Sequence, residues 1–179
     1  MRVGVIFMAM GAMLGTSVVQ AASETFYLNV PGILGDVTAR GYEGWISVTS
    51  FSEGFSNSSS ARSGGGGAAR VSCKEFKIVK PLDVTSPHLA LAVATDQIFG
   101  SIQLAAVSTG NRPIQFLSFT LLNATIDAVS FGGDSDTSAR VETLAIRPAK
   151  VLISYRPQAS DGAPGTPVQA TVDCSSFRP

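Results

Sequence analysis

Apolar and polar residues alternate with a period of two along most of the chain, which is the signature of strands buried on one face. Phe26, Leu28 and Val30 alternate with Tyr27 and Asn29, and Pro31-Gly32 end this first strand. Trp45 to Phe55 predicts a second, with Trp45, Ser47, Thr49 and Phe51 on one face and Ile46 and Val48 on the other. Val71 to Val79 predicts a third, stopped by Pro81. Ile102 and Leu104 mark the next, and Asn111-Arg112-Pro113 turns the chain into a strand with Leu117, Phe119 and Leu121 on one face.

Two of these strands change phase midway. After Asn123 the apolar set moves to Ile126 and Ala128, and between Val141 and Tyr155 it moves from Leu144 and Ile146 to Val151, Ile153 and Tyr155, with Pro148 at the change. A phase flip within one strand predicts a bulge or bend. Proline at such a point favours an edge or bulge. Long strands with mid-strand bends suit a small closed barrel.

One helix interrupts the strands. Ser86 reads as its N-cap, with Pro87 at the first helical position, where a missing N–H costs nothing. The helix continues from His88 to Asp96, and Leu89 and Val93 share a face at i and i+4. It is about three turns long, so tertiary packing must hold it.

Four segments carry no such periodicity. Pro31 to Gly44 is rich in Gly, Asp and Thr and predicts a long loop, which in a compact domain is functional or mobile. Asn57 to Ala69, ending in Gly64 to Gly67 and two alanines, predicts a flexible loop between two strands. Gly132 to Ser138 is a polar loop, and residues 159–179 form a C-terminal extension in which Gly, Pro and Asp dominate.

The N-terminus is a targeting segment: Arg2, then a nearly unbroken apolar run from Val3 to Val19, then Val19-Gln20-Ala21. This pattern predicts a signal peptide over residues 1–21 cut between Ala21 and Ala22, with no stable membrane insertion afterwards. No Cys stands at the cut, which argues against a lipid-anchored product. The mature protein is therefore expected in the periplasm or outside the cell. Removing Arg2 leaves 12 of the 13 basic residues against 13 acidic ones, a net charge of −1. That balance argues against nucleic acid as a partner. Apolar residues at 45% are enough for one core, and charged residues at only 15% fit large packed or self-associating surfaces.

The two cysteines, Cys73 and Cys174, lie 101 positions apart. Either they form a disulfide or they are separate thiols. The bridge is favoured in an exported chain because only these two are available to pair. Closing so long a loop stabilises by up to ~5 kcal/mol in the chain-entropy model.

No catalytic constellation emerges. His88 is the single histidine, too few for a zinc site, and no G-x-S-x-G elbow occurs. Gly64 to Gly67 is followed by Ala68-Ala69-Arg70, which lacks the Lys-Ser/Thr of a phosphate-binding loop. Asp134 and Asp136 fall short of the oxygens calcium requires. Asn57-Ser58-Ser59 and Asn123-Ala124-Thr125 match a short and common glycosylation pattern. No enzyme activity, metal or cofactor is expected.

A resemblance rests on the order of several segments: Tyr27-Leu28-Asn29-Val30; Lys74 to Lys80, followed by Asp83 and Thr85-Ser86-Pro87-His88-Leu89; Leu117 to Leu121; and Val151 to Gln158 with its Tyr155-Arg156-Pro157-Gln158. From Thr25 to Gln158 the chain resembles the haemolysin-coregulated protein (Hcp) family, the tube proteins of type VI secretion. The resemblance implies a mainly β fold, a small barrel of two antiparallel sheets flanked by one short helix, over residues 22–158. It also implies a homohexameric ring with a central channel, rings that stack into a tube, and small effector proteins or other type VI components as partners. The loop Pro31, Gly32, Ile33, Leu34, Gly35, Asp36 through Gly41, Tyr42, Glu43 and Gly44 matches the family's ring-stacking loop. The signal segment and the extension depart from the family pattern. The expected function is an exported structural protein of this kind. The rival is a periplasmic or extracellular binding module that keeps the barrel without the tube.

Overall fold

The structure is a computed structural model, and it describes residues 23–58, 70–109, 113–136, 140–159 and 163–174. The predicted signal segment with its Ala21–Ala22 cut, the glycine run, and the Asn111-Arg112 turn lie outside the described residues. The strands are β1 (Glu24–Asn29), β2 (Ile46–Val48), β3 (Ser50–Ser52), β4 (Phe55–Ser58), β5 (Arg70–Cys73), β6 (Phe76–Pro81), β7 (Ile98–Ser108), β8 (Ile114–Gly133), β9 (Arg140–Tyr155) and β10 (Val168–Asp173), with one helix, α1 (Ser86–Ala94), between β6 and β7.

The main sheet runs β2-β1-β7-β8-β9-β6-β3, with antiparallel pairing at every step that links these strands. Its two edge strands, β2 and β3, are consecutive in the chain and separated only by Thr49. The Thr49 N–H donates to the Val79 carbonyl of β6, so the chain steps from one end of the sheet to the other and closes it into a barrel. This step breaks the predicted strand Trp45–Phe55. Ile46 and Val48 face the core, and Phe51, expected on the opposite face from them, also reaches it, against the rings of Phe26, Phe76 and Phe119 at centroid distances of 5.2, 6.1 and 5.7 Å. The predicted strand Val71–Val79 is likewise broken, at Lys74-Glu75, where β5 leaves to pair with β4 in a separate ribbon.

Both predicted phase flips are present, and they occur side by side. On β8 the buried set passes from Phe119 and Leu121 to Ala124 and Ile126, and the flip is made by Asn123 in the left-handed region at φ +48°. On β9 it passes from Leu144 and Ile146 to Val151 across Pro148, which pairs with Ala124. The two strands bend together because a single kinked strand would break the ladder between them. Ala128, expected inside, is exposed, because the register shifts again between Ile126 and Ala128. The core enclosed by the sheet holds Leu28, Ile46, Phe76, Ile78, Ile102, Leu104, Leu121, Leu144 and Ile146, all fully buried or nearly so. Each such side chain stabilises the fold by about 1.5–3 kcal/mol of apolar burial.

α1 packs on β8 through Leu89 and Ala92, with Val93 partly buried beside them. Its N-cap is Thr85 and not Ser86, and Thr85 makes no side-chain capping bond. The Ser86 hydroxyl turns inward instead, to the ion cluster described below.

The tail is more structured than its composition predicts. β10 adds to β9 over Lys150–Tyr155, on the same edge that β6 occupies over Val141–Ile146. The Cys174 N–H donates to the Ala149 carbonyl, and Cys174 is bonded to Cys73 at a Cα separation of 5.6 Å.

Candidate self-association surface

The loop 31–44 folds on itself. Gly35 N–H donates to Gly44 O, Gly44 N–H to Val37 O, and Val37 N–H to Trp45 O, at 2.8, 2.9 and 3.2 Å. Gly32, Gly41 and Gly44 have φ of +85°, +87° and +76°, a region that L side chains rarely adopt. Gly35 has a different reason to be glycine: a Cβ there would lie 2.2 Å from the Trp45 carbonyl oxygen. Its neighbours anchor the loop from both sides. Ile33 is buried in the core. Tyr42 stacks on Tyr27 of β1 at 4.7 Å, meets Trp45 edge-on at 5.2 Å, and donates its hydroxyl proton to Gln115 of β8. Burial, aided by Tyr27, holds the Tyr42 hydroxyl above its ordinary pKa. Asp36 and Glu43 are exposed, and the Glu43 carboxylate accepts from the Gly41 N–H. The result is a preformed loop that leaves one large apolar side chain, Leu34, 78% exposed.

A buried ion cluster fixes the start of α1. Lys80 and Glu142 face each other across the β6–β9 ladder with both side chains fully buried, 2.9 Å apart. The Lys80 ammonium also donates to Asp83 at 3.0 Å, to the Pro81 carbonyl at 2.8 Å and to Ser86 Oγ at 3.3 Å. Ser86 donates to Glu142 Oε2, and Asp83 Oδ1 accepts from the Thr85 N–H and hydroxyl. Glu142 Oε1 has no hydrogen-bond partner. Sequence reasoning missed this cluster. The signal for it was parity: Lys80 shares its face with Phe76 and Ile78, and Glu142 with Leu144 and Ile146.

A second carboxylate, Glu53, borders an open hollow of about 490 Å³ lined by Ser52, Gly54, Lys74, Glu75 and Lys77. Both its oxygens are buried without a hydrogen-bond partner. Burial pushes it up to about 7, and the nearby Gly54 amide opposes the rise. His88 is exposed on α1. Asp134 accepts the Asp136 N–H, which is turn chemistry. Among the described residues no group of three metal-ligating side chains occurs, and no helix is long and apolar enough to cross a membrane.

The family described as "Type VI secretion system effector, Hcp" matches residues 27–155, from β1 to the end of β9. The chain belongs to the Hcp family. Protein hcp1 of Pseudomonas aeruginosa is 27% identical over 102 residues, 56% of this chain and 63% of that protein, so the match spans just under two thirds of that relative. A solved structure of a type six secretion system protein superposes with a TM-score of 0.79 at 19% identity, covering 87% of this chain and 99% of the other. Hcp1 from Salmonella typhimurium superposes at 0.69, also at 19% identity, over 87% and 97% of the two chains. The structural matches establish that the fold is Hcp-like: mainly β, barrel-shaped, with one short helix. β10 and Cys174 lie beyond the span the family matches.

Proposed function

We propose that this Hcp-family protein is an exported, non-enzymatic structural subunit of type VI secretion that closes into a homohexameric ring. The observation that carries this reading is the loop 31–44. It is ordered by its own hydrogen bonds and by Tyr42, yet it projects Leu34 into solvent. A backbone so constrained that still leaves a large apolar side chain in solvent suits contact with another copy, here the next ring. The other large apolar residues left exposed, among them Leu91 of α1, Ile98 of β7 and Phe131 of β8, stand on separate elements. That suits neighbours on more than one side, with small effector proteins or other type VI components as further partners.

In this reading the mature protein begins at Ala22, residues 22–158 are the barrel domain, residues 159–179 are an extension, and export uses the general secretory route. The Cys73–Cys174 bond fits such a compartment. It also favours a second reading, a periplasmic or extracellular module that keeps the barrel as a binding scaffold and does not assemble. The native mass of the mature protein without reductant separates the two. A mass near six chains supports the ring, and a monomer at every concentration supports the second reading. The Leu34→Asp variant should keep the ring and lose end-to-end association of rings.

A further inference from the structure

The tail strand is held in an unusual way. Five of the six β10 residues are exposed, and only Val172 packs against the core. It is attached by the backbone ladder to β9, the exposed Lys150–Asp173 pair at 3.1 Å, a 3.4 Å hydrogen bond from Gln169 Nε2 to Ser154 Oγ and, just beyond the strand, buried Cys174, whose N–H donates to the Ala149 carbonyl and whose sulfur is bonded to Cys73. It is reached from β9 through residues 156–167, where the Gly165 N–H donates to the Pro157 carbonyl and Gln158 bridges to Pro164. A strand with so little side-chain burial opens at low cost once its covalent anchor is absent. When it opens, the edge of β9 from Lys150 to Tyr155 is bared, because β6 pairs β9 only up to Ile146. An unpaired edge of this length is a template for another strand.

We propose that this β9 edge is a strand-acceptor site whose partner is the Val168–Asp173 segment of a second copy of the chain, and that the intrachain Cys73–Cys174 bond decides whether the segment stays at home. The second copy is the favoured occupant because its segment offers the same six-residue register, from Val168 against Tyr155 to Asp173 against Lys150. Exchange of an identical element between copies replaces every contact it breaks. It also brings Cys174 of one copy to Cys73 of the other. A disulfide formed there ties the two copies covalently. The inference does not depend on ring formation, since two copies suffice.

The test mixes two full-length mature variants, Cys73→Ser and Cys174→Ser, with oxidised glutathione until the yield is constant. Neither variant can form the intrachain bond. The glutathione disulfide takes up the two electrons and two protons that a thiol pair gives up on bonding. The expected result is a covalent heterodimer on a non-reducing gel, several-fold above the homodimers that each variant forms alone. Adding Gln169→Pro and Ala170→Pro to the Cys73→Ser chain, which donates the strand, should remove that excess. Successive N–H groups of a strand point to opposite sides, so one of the two prolines must delete a donor facing β9. Both side chains are exposed and neither packs in the core; besides the ladder bond, the change removes the Gln169–Ser154 side-chain hydrogen bond. A heterodimer yield no higher than the homodimer background, or one indifferent to the prolines, would overturn the proposal. The native mass of the unmodified protein reports on the ring separately.

Discussion

Replacing Lys80 with Met isolates the contribution of the buried ion cluster. Methionine keeps most of the volume of the lysine stem and removes the ammonium that contacts Glu142, Asp83, Ser86 and the Pro81 carbonyl. Glu142 then keeps one hydrogen bond, from Ser86, on a carboxylate with no exposure to water and one oxygen already unpartnered. Breaking a buried pair from one side costs about 3–5 kcal/mol, because the remaining charge is stranded in the interior. Domains of this size unfold with roughly 5–15 kcal/mol in total, so the loss is a large fraction of the stability. At about 2–4 °C per kcal/mol, the melting temperature should fall by roughly 6–20 °C. The assay is urea and thermal unfolding of oxidised protein, followed by circular dichroism at one fixed concentration, since any assembly makes the midpoint concentration-dependent. Combining Lys80→Met with Glu142→Leu removes the stranded charge and should restore more than half of the loss. A single-variant loss below ~1 kcal/mol, or a double variant less stable than the single one, would refute the reasoning.

Other perturbations bear on separate parts of the account. Gly35→Ala forces a Cβ against the Trp45 carbonyl. It should leave the barrel melting transition in place while protease cleavage within residues 31–44 rises sharply. Reduction of the Cys73–Cys174 bond should raise hydrogen exchange across Val168–Asp173 and leave the β7–β8–β9 ladder protected; an unchanged tail under full reduction would mean the bond does not hold it. Glu53 binds its proton more tightly folded than unfolded, since its pKa is raised from 4.5 to about 7. The folded state is therefore penalised as pH rises through that window. Glu53→Gln should flatten this part of the pH–stability curve and add on the order of 1 kcal/mol at pH 8, after allowance for its partial exposure.

Period-two alternation was a sufficient guide wherever a strand has one buried face, as in β1 and in β8 from Leu117 to Leu121, but not in β7, where Leu104 to Val107 are all buried. The bends at Asn123 and Pro148 were legible for the same reason, because a change of parity is visible without knowing what lies across the sheet. Thr49 was not legible: the chain changes partner strand there, and partner choice leaves no local mark. Ser86 was misread because a serine before proline satisfies the capping pattern, while the demand on its hydroxyl comes from Glu142, distant in sequence. Lys80 and Glu142 were passed over because charged residues are ordinarily exposed, although their parity placed both inside. β10 escaped notice because Val168-Gln169-Ala170-Thr171-Val172-Asp173 has few large apolar residues, and what holds it is backbone pairing and a disulfide. Of the loop proposed for assembly, the limits could be read from its glycines, but the role of Tyr42 as its anchor depends on Tyr27 and Gln115.

Native mass spectrometry of the oxidised mature protein tests the central claim most directly. The account predicts a dominant species of six chains that persists on dilution. A monomer throughout the concentration range would contradict it and leave a barrel of this family that works alone.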